Sequence, residues 1–227
     1  MRFRLMALIA LAAMTLSSCR NEGGKNISQG EIHYEISYVG NFAFPTDVLP
    51  KSLVVSFKKN KILFEMTGYG KSGIVNLANP EIDVYDTYYS FFSLKKYYAS
   101  KPGEKFPGFS AMDDMKLTKT SKTAVICGYD CKNAEVRIPG SDNVYNIWYT
   151  DEIKVDNPNA ATPFNNIDGV LLSFFFKMGS SELHFNCESV FSKEIPDELF
   201  ERRTEFDRVT KTDIVKFMNR MLDTVGS

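Results

Sequence analysis

Histidine is nearly absent from this chain: His33 and His184 are the only two in 227 residues. That excludes a His-rich metal site, and any nucleophile would have to recruit one of these two as its base. Excess charge of one sign is missing too. The 27 Lys and Arg side chains face 28 Asp and Glu, a net charge of −1. Bulk electrostatic attraction to nucleic acid or to an anionic membrane surface is thereby excluded. No apolar run reaches the roughly 20 residues that span a bilayer. Neither a G-x-S-x-G elbow, an H-E-x-x-H pair, a Walker glycine loop nor a G-x-G-x-x-G turn occurs. Asp113-Asp114 lacks the spacing of a calcium loop. No cofactor or metal is implied.

Aromatic side chains are abundant. Phe 18, Tyr 11 and Trp 1 make up 13% of a chain that is 44% hydrophobic, too apolar for disorder and long enough for one substantial domain. The first residues are set apart. Arg2 and Arg4 precede an apolar run over residues 5–16, followed by Leu16-Ser17-Ser18-Cys19. A basic start, a short apolar stretch and a small-residue site define a secretory signal peptide. The segment ending at Cys19 resembles the lipobox of bacterial lipoproteins, which implies lipidation of Cys19, palmitate among the acyl chains, and attachment to a membrane. Arg20 stands where an inner-membrane retention aspartate would follow the cysteine, so the resemblance implies an outer-membrane destination in the cell envelope, periplasmic or surface-facing. Residues 1–18 are thus expected to be removed, the polar stretch 19–29 to act as a flexible tether, and residues 30–227 to form a single β-rich domain.

Three further cysteines remain: Cys127, Cys131 and Cys187. Outside the cytoplasm a disulfide is permitted. Cys127 and Cys131 would lie about 13 Å apart on one extended strand, too far to bridge unless Gly128-Tyr129 turns the chain. The expected pair is Cys131 with Cys187.

Alternation begins at Gly30. Ile32, Tyr34, Ile36 and Tyr38 face one way, while Glu31, His33, Glu35 and Ser37 face the other, as in a half-buried strand. Apolar runs over 53–57 and 62–66 flank Lys58-Lys59-Asn60-Lys61, a hairpin signal. Further strands are expected over 73–77, 82–86, 88–98, 123–126, 131–138, 144–149, 170–176 and 182–191. Glycine, proline and asparagine clusters separate them, which predicts an antiparallel all-β sandwich or barrel. Near the end, Ile214, Phe217, Met218, Met221, Leu222 and Val225 recur at helical spacing, with Thr210 or Thr212 as cap. This amphipathic helix is expected to cover one face of the sheet.

Two strands do not alternate. Over 88–98, Tyr88, Phe92, Leu94 and Tyr98 share one face and Tyr89, Phe91 and Tyr97 the other. Over 170–176, Leu172, Phe174 and Phe176 are backed by Leu171 and Phe175. Both faces of each must be covered. Either they are plain core, or one face lines a cavity for an apolar ligand. On the second reading Tyr88, Phe92, Leu94, Tyr98, Leu172, Phe174 and Phe176 are the candidate ligand-binding residues. The loop over 101–114, with Phe106, Phe109 and Met112, is either an exposed binding surface or a plug under the sheet.

The stretch over 126–153 holds Ile126, Gly128, Tyr129, Cys131, Lys132, Trp148, Tyr149, Thr150, Glu152 and Ile153. It resembles a pattern common in exported proteins of Bacteroidota. Downstream, Ile167-Asp168-Gly169-Val170-Leu171 looks like the place where the GLPGLI family carries its name-giving motif, with a different sequence. The family's closing segment is similar to Ile195-Pro196-Asp197-Glu198-Leu199-Phe200. These families are similar to the LolA-like superfamily. The resemblance spans about residues 30–200 and implies a half-barrel, a curved antiparallel sheet with helices across its concave face, in which some members hold lipids or acyl chains.

Three readings follow. One is a non-catalytic, lipid-anchored envelope protein binding a lipid or acyl chain. The alternative is an interaction module that uses exposed aromatics, Trp148 or Phe106 and Phe109, to bind a protein or glycan. The third, a metal-assisted hydrolase, would require His33 and His184 to converge with nearby carboxylates.

Overall fold

The computed structural model describes residues 20–21, 24–40, 42, 45–68 and 72–222. Within them, thirteen strands form one sheet. These are β1 (Arg20–Asn21), β2 (Gln29–Val39), β3 (Ser52–Lys58), β4 (Lys61–Thr67), β5 (Gly73–Asn79), β6 (Val84–Phe91), β7 (Leu94–Ala99), β8 (Lys116–Ile126), β9 (Tyr129–Arg137), β10 (Val144–Thr150), β11 (Val170–Met178), β12 (Ser181–Phe191) and β13 (Asp207–Arg208), and one helix follows, α1 (Lys211–Leu222). The order across the sheet is β13-β7-β6-β5-β4-β3-β2-β12-β11-β10-β9-β8, with β1 also on β12. The long pairs are antiparallel. Only the two-residue strands β1 and β13 run parallel to their neighbours. The sheet is open and curved, with a single α-helix, as the mainly-β expectation has it.

Sequence alternation places the faces. On β2, Ile32, Tyr34 and Ile36 are buried on the concave side, while Glu35 and Ser37 are exposed on the convex side. Gly30 sits where β2 meets the end of β12. Its φ is +154°, and a Cβ there would lie 2.1 Å from the Phe191 carbonyl oxygen, so no other residue fits.

Two expected elements differ. Residues 88–98 are not one strand: β6 and β7 form a hairpin that turns at Phe92-Ser93, where Phe92 takes φ +52°. The turn reverses the parity of everything after it. β8 runs from Lys116, not from Thr123. It is an edge strand, and its Lys-Leu-Thr-Lys-Thr-Ser-Lys beginning carries no apolar alternation because lysines and a bulge blunt a sheet edge.

The segment expected to be a free tether is docked from Gly24 onward. Asn26 N–H donates to the Glu152 carbonyl (2.7 Å) and Lys154 N–H to the Ile27 carbonyl (2.8 Å). Lys25 Nζ pairs with Glu152 (2.5 Å) and Asp130 (3.1 Å), and Tyr129 donates to the Gly24 carbonyl (2.7 Å). Backbone hydrogen-bonding groups that meet partners here hold a polar segment that has little apolar surface of its own to bury.

Both faces of β4–β6 are apolar, and the C-terminal segment covers both. Residues 192–206 cross the convex face as a strap, burying Ile195 and Phe200 against Leu63, Leu77 and Tyr88. Burying each such side chain contributes about 1.5–3 kcal/mol. The chain then rounds the sheet edge. β13 pairs with β7 at Lys96 and Tyr97, Thr210 caps α1 by accepting from Asp213 N–H (3.2 Å), and α1 lies on the concave face. There Phe217 stacks on Tyr89, with ring centroids 5.7 Å apart. Ile214 and Met218 are fully buried. Met221, Leu222 and Val225, expected on the same face, have side chains outside the described residues.

The strap is anchored by a charge pair. Asp86, fully buried, accepts from Arg202 Nε (2.7 Å) and Nη2 (2.9 Å), and from Tyr88 Oη (2.8 Å). Tyr88 Oη accepts from Arg203 N–H (3.0 Å). At the other end Asp197 meets Lys58 (2.8 Å) and Lys61 (2.7 Å). Asp86 is buried while Arg202 is 41% exposed, so removing Arg202 leaves a buried carboxylate for which water only partly replaces the guanidinium. Arg202→Ala should therefore lower unfolding stability by about 1–2 kcal/mol in urea denaturation, whereas Arg208→Ala, an exposed edge residue, should change it by less than about 0.5 kcal/mol.

Candidate functional site

The concave face presents alternate residues of the middle strands: Leu53 of β3, Phe64 and Met66 of β4, Ile74 and Asn76 of β5, Phe176 and Met178 of β11, and Leu183 and Phe185 of β12. Their common face follows from period-two alternation in register-matched neighbours. Three segments cover it. The loop over 100–115 inserts Phe106, Phe109 and Met112, all at most 5% exposed. Phe109 packs on Phe176 at 4.4 Å. The loop over 151–169 adds Phe164, which packs on Phe174 and Phe176, and α1 adds Met218. Phe106 N–H donates to the Ala161 carbonyl (2.8 Å), joining the two loops. Gly108 (φ +100°) lets the first loop pass between Met218 and Met178, whose methyls would lie 2.7 and 2.8 Å from a Cβ.

The covered space is an apolar crevice with a residual cavity of about 40 Å³. Phe64, Phe106 and Thr162 also border a groove of about 490 Å³, which opens between Asn60, Pro80 and Tyr85 on one side and residues 156–161 on the other. This opening adjoins the docked N-terminal segment. Lys59 N–H donates to the Ser28 carbonyl (2.7 Å), and Asp156 N–H to the Lys59 carbonyl (3.1 Å).

The seven candidate ligand residues separate. Phe176 borders the crevice, Phe174 packs beside it on Phe176 and Phe185 and borders a small adjoining pocket, and Leu172 is fully buried in the same core. Leu94 and Tyr98 lie on the concave side of the edge strand β7, partly buried and outside the crevice lining. Tyr98 Oη donates to Glu104 (3.2 Å), which also holds Lys211 (2.6 Å). Tyr88 is on the opposite face, in the strap's core, and Phe92 is 74% exposed in the turn. Both corrections follow from the hairpin at 92–93. Phe106 and Phe109 are the plug, not an exposed patch, and Trp148 is partly buried. The crevice residues Phe64 and Met66 belong to an alternation, Ile62-x-Phe64-x-Met66, that is visible in the sequence but does not by itself say which strand faces will meet.

The expected Cys131–Cys187 disulfide is not formed. Cys131 carries a thiol directed at the Tyr129 carbonyl (3.5 Å), and Cys187 Sγ points at the Ser189 carbonyl (3.8 Å). The chain does turn at Cys127-Gly128, with φ +50° and +80°, and Cys127 Sγ donates to the Cys187 carbonyl (3.1 Å). All three cysteines are buried in the main core beside Tyr34, whose phenol donates to the Leu171 carbonyl (2.7 Å). Burial, reinforced by the neighbouring sulfurs, holds that phenol well above its ordinary pKa. Burial also pushes the Cys131 thiol up to about 12, so no thiolate is available there at neutral pH. Cys19 lies outside the described residues.

β2 and β12 are neighbours, yet the histidines do not meet. His33 stands opposite Ser189 and His184 opposite Ser37, four residues or about 13 Å apart along the strands. The Nε2 of each ring meets a carboxylate two residues away, Glu31 for His33 (3.1 Å) and Glu182 for His184 (3.0 Å), on the convex side. Among the described residues no group of three His, Cys, Asp or Glu is placed to hold a metal ion, and no helix is long and apolar enough to cross a membrane.

No protein-family model matches the chain, and the GLPGLI likeness stays a resemblance. No curated sequence matches it either. Among solved structures, PNGF-II superposes on 84% of this chain with a TM-score of 0.52 at 17% identity. The chain spans about a third of PNGF-II, 33% of its length. The lipoprotein LppX of Mycobacterium tuberculosis aligns over 74% of this chain and 89% of its own, with 12% identity and a TM-score of 0.32. A LolA superfamily protein from Nitrosomonas europaea aligns over 82% and 94%, with 8% identity and a TM-score of 0.34. At these identities the likeness to PNGF-II is one of fold.

The cysteine placement has a direct test. Cys127, Cys131 and Cys187 should resist maleimide in the native protein and label fully in denaturant without prior reduction. A bridge between Cys131 and Cys187 would instead leave both unlabelled until a reductant is added.

Proposed function

We propose that this chain is a lipid-anchored, non-catalytic protein of the bacterial cell envelope, held at the outer membrane through Cys19, whose β-rich body from residue 30 is one domain that binds an apolar ligand under its concave face. The observation that carries this reading is the crevice itself. An apolar strand surface is roofed by two loops and a short helix rather than by a second sheet. It joins a groove of about 490 Å³, within the roughly 300–1,000 Å³ of small-ligand sites. Three methionines, Met66, Met178 and Met218, line it, and methionine repacks readily around ligands of different shape. Phe174 and Phe176 would form the wall and Leu172 its support, while Leu94 and Tyr98 would seat the edge of the cover.

A binding role also fits the available chemistry. The Cys131 thiol is held protonated, and both histidines sit on the face away from the crevice. Native mass spectrometry of the protein extracted from its own membrane tests the reading. A non-covalent adduct of lipid mass is expected. Its occupancy should fall at least tenfold in Ala160→Trp, which fills the groove from an exposed position. Spectra free of adduct in both proteins would contradict it.

A further inference from the structure

Of the side chains that line the crevice, only Asn76 and Thr162 are polar, and none is charged. Thr162 Oγ1 is engaged on both counts: it donates to the Asn159 carbonyl (2.9 Å) and accepts from Phe164 N–H (3.2 Å). Asn76 is different. It interrupts the concave face of β5, Ile74-x-Asn76-x-Ala78, and stands opposite Phe64 on β4 and Thr87 on β6. Thr87, with no exposed surface, donates its hydroxyl to Asn76 Oδ1 (2.7 Å). That bond fixes the amide and leaves Nδ2 as a donor with no acceptor among the described residues. Asn76 is only partly buried, and Nδ2 keeps accessible surface on the residue that lines the crevice. An amide on an apolar strand face lowers stability unless its polar atoms are met. A few placed polar groups in an otherwise apolar site are what orient a ligand.

We infer that Asn76 is the specificity-determining residue of the crevice, and that the ligand is a neutral acyl ester whose carbonyl oxygen accepts from Asn76 Nδ2. Thr87 is the positioning residue that holds the amide in this orientation. The inference rests on the reading of the concave face as an apolar-ligand site and adds the ligand's functional group. The group follows by elimination. An ionised carboxylate would be buried against a lining that holds no cation. A hydroxyl or an amide would bring a donor of its own, and the lining side chains leave no oxygen unengaged to receive it. A pure hydrocarbon would leave Nδ2 stripped of water and unmet. An ester carbonyl supplies an acceptor and nothing more.

The test uses the purified protein, with pyrene as a displaceable fluorophore and two competitors of matched size: methyl octanoate, and undecane, which has no acceptor. The quantity read is the ratio of ester affinity to alkane affinity, so that the difference in their solubility in water cancels between variants. Asn76→Leu combined with Thr87→Val removes the donor and its positioner together and leaves neither partner unmet. It should lower the ratio about tenfold, with undecane affinity kept. Asn76→Asp, which keeps the shape and the Thr87 bond but has no donor, should lower the ratio at least as far. Thr87→Val alone should lower it by a smaller factor. An unchanged or larger ratio in both Asn76 variants overturns the inference, and so does an equal loss of ester and alkane in both. In either case undecane binding to the unaltered protein leaves the crevice reading standing. Absence of binding by pyrene and both competitors to the unaltered protein overturns both.

Discussion

The pairing of Asp86 with Arg202 settles the architecture around it. A carboxylate with no exposed surface must be matched by a cation with good geometry, and here the guanidinium meets both oxygens. That contact fixes the strap on the convex face. Once fixed, the chain can reach only the β7 edge, where β13 pairs, and from there only the concave face, where α1 packs. One side-chain pair therefore anchors the path of residues 192–222, which cover the convex face and, through α1, add to the loops that cover the concave one.

The two coverings are held differently. On the convex side, buried charge, a tyrosine hydroxyl and lysine pairs at Asp197 tie the strap in place. On the concave side, the cover is held mainly by apolar contact between aromatic and methionine side chains, with the Phe106–Ala161 hydrogen bond and the Lys211–Glu104 pair among its few polar ties. Apolar contact is non-directional and tolerates sliding, whereas a fork of hydrogen bonds does not. The side with adaptable packing is the side with the crevice and groove. That asymmetry agrees with the ligand binding proposed for the concave face.

Much of this architecture is legible in the order of the residues alone. The alternation of Ile32, Tyr34 and Ile36 marks the buried face of β2, the break at Lys59-Asn60 places a hairpin, and the spacing of Ile214, Phe217 and Met218 marks α1 as a covering helix. The doubly apolar segments correctly require cover on both sides. Their parity is not legible, because Phe92-Ser93 carries no glycine or proline to announce a turn, and a two-residue turn moves Tyr88 and Leu94 to opposite faces. The start of β8 is hidden because an edge strand needs charge rather than alternation. Docking of residues 24–29 rests on backbone hydrogen bonds, which any polar sequence can make. The groove is invisible for another reason: Asn60, Pro80, Tyr85 and Asp156 come together only through long-range register.

Ligand entry under the concave face requires its cover to open more readily than the convex strap. Residue-resolved hydrogen exchange on the ligand-free protein measures this directly. The amides of Phe106, Met112 and Ile214, hydrogen-bonded in the cover, should exchange at least about tenfold faster than those of Arg203 and Val209, which are hydrogen-bonded in the strap and at its edge. Equal protection of the two sets, at the level of global unfolding, would contradict the account.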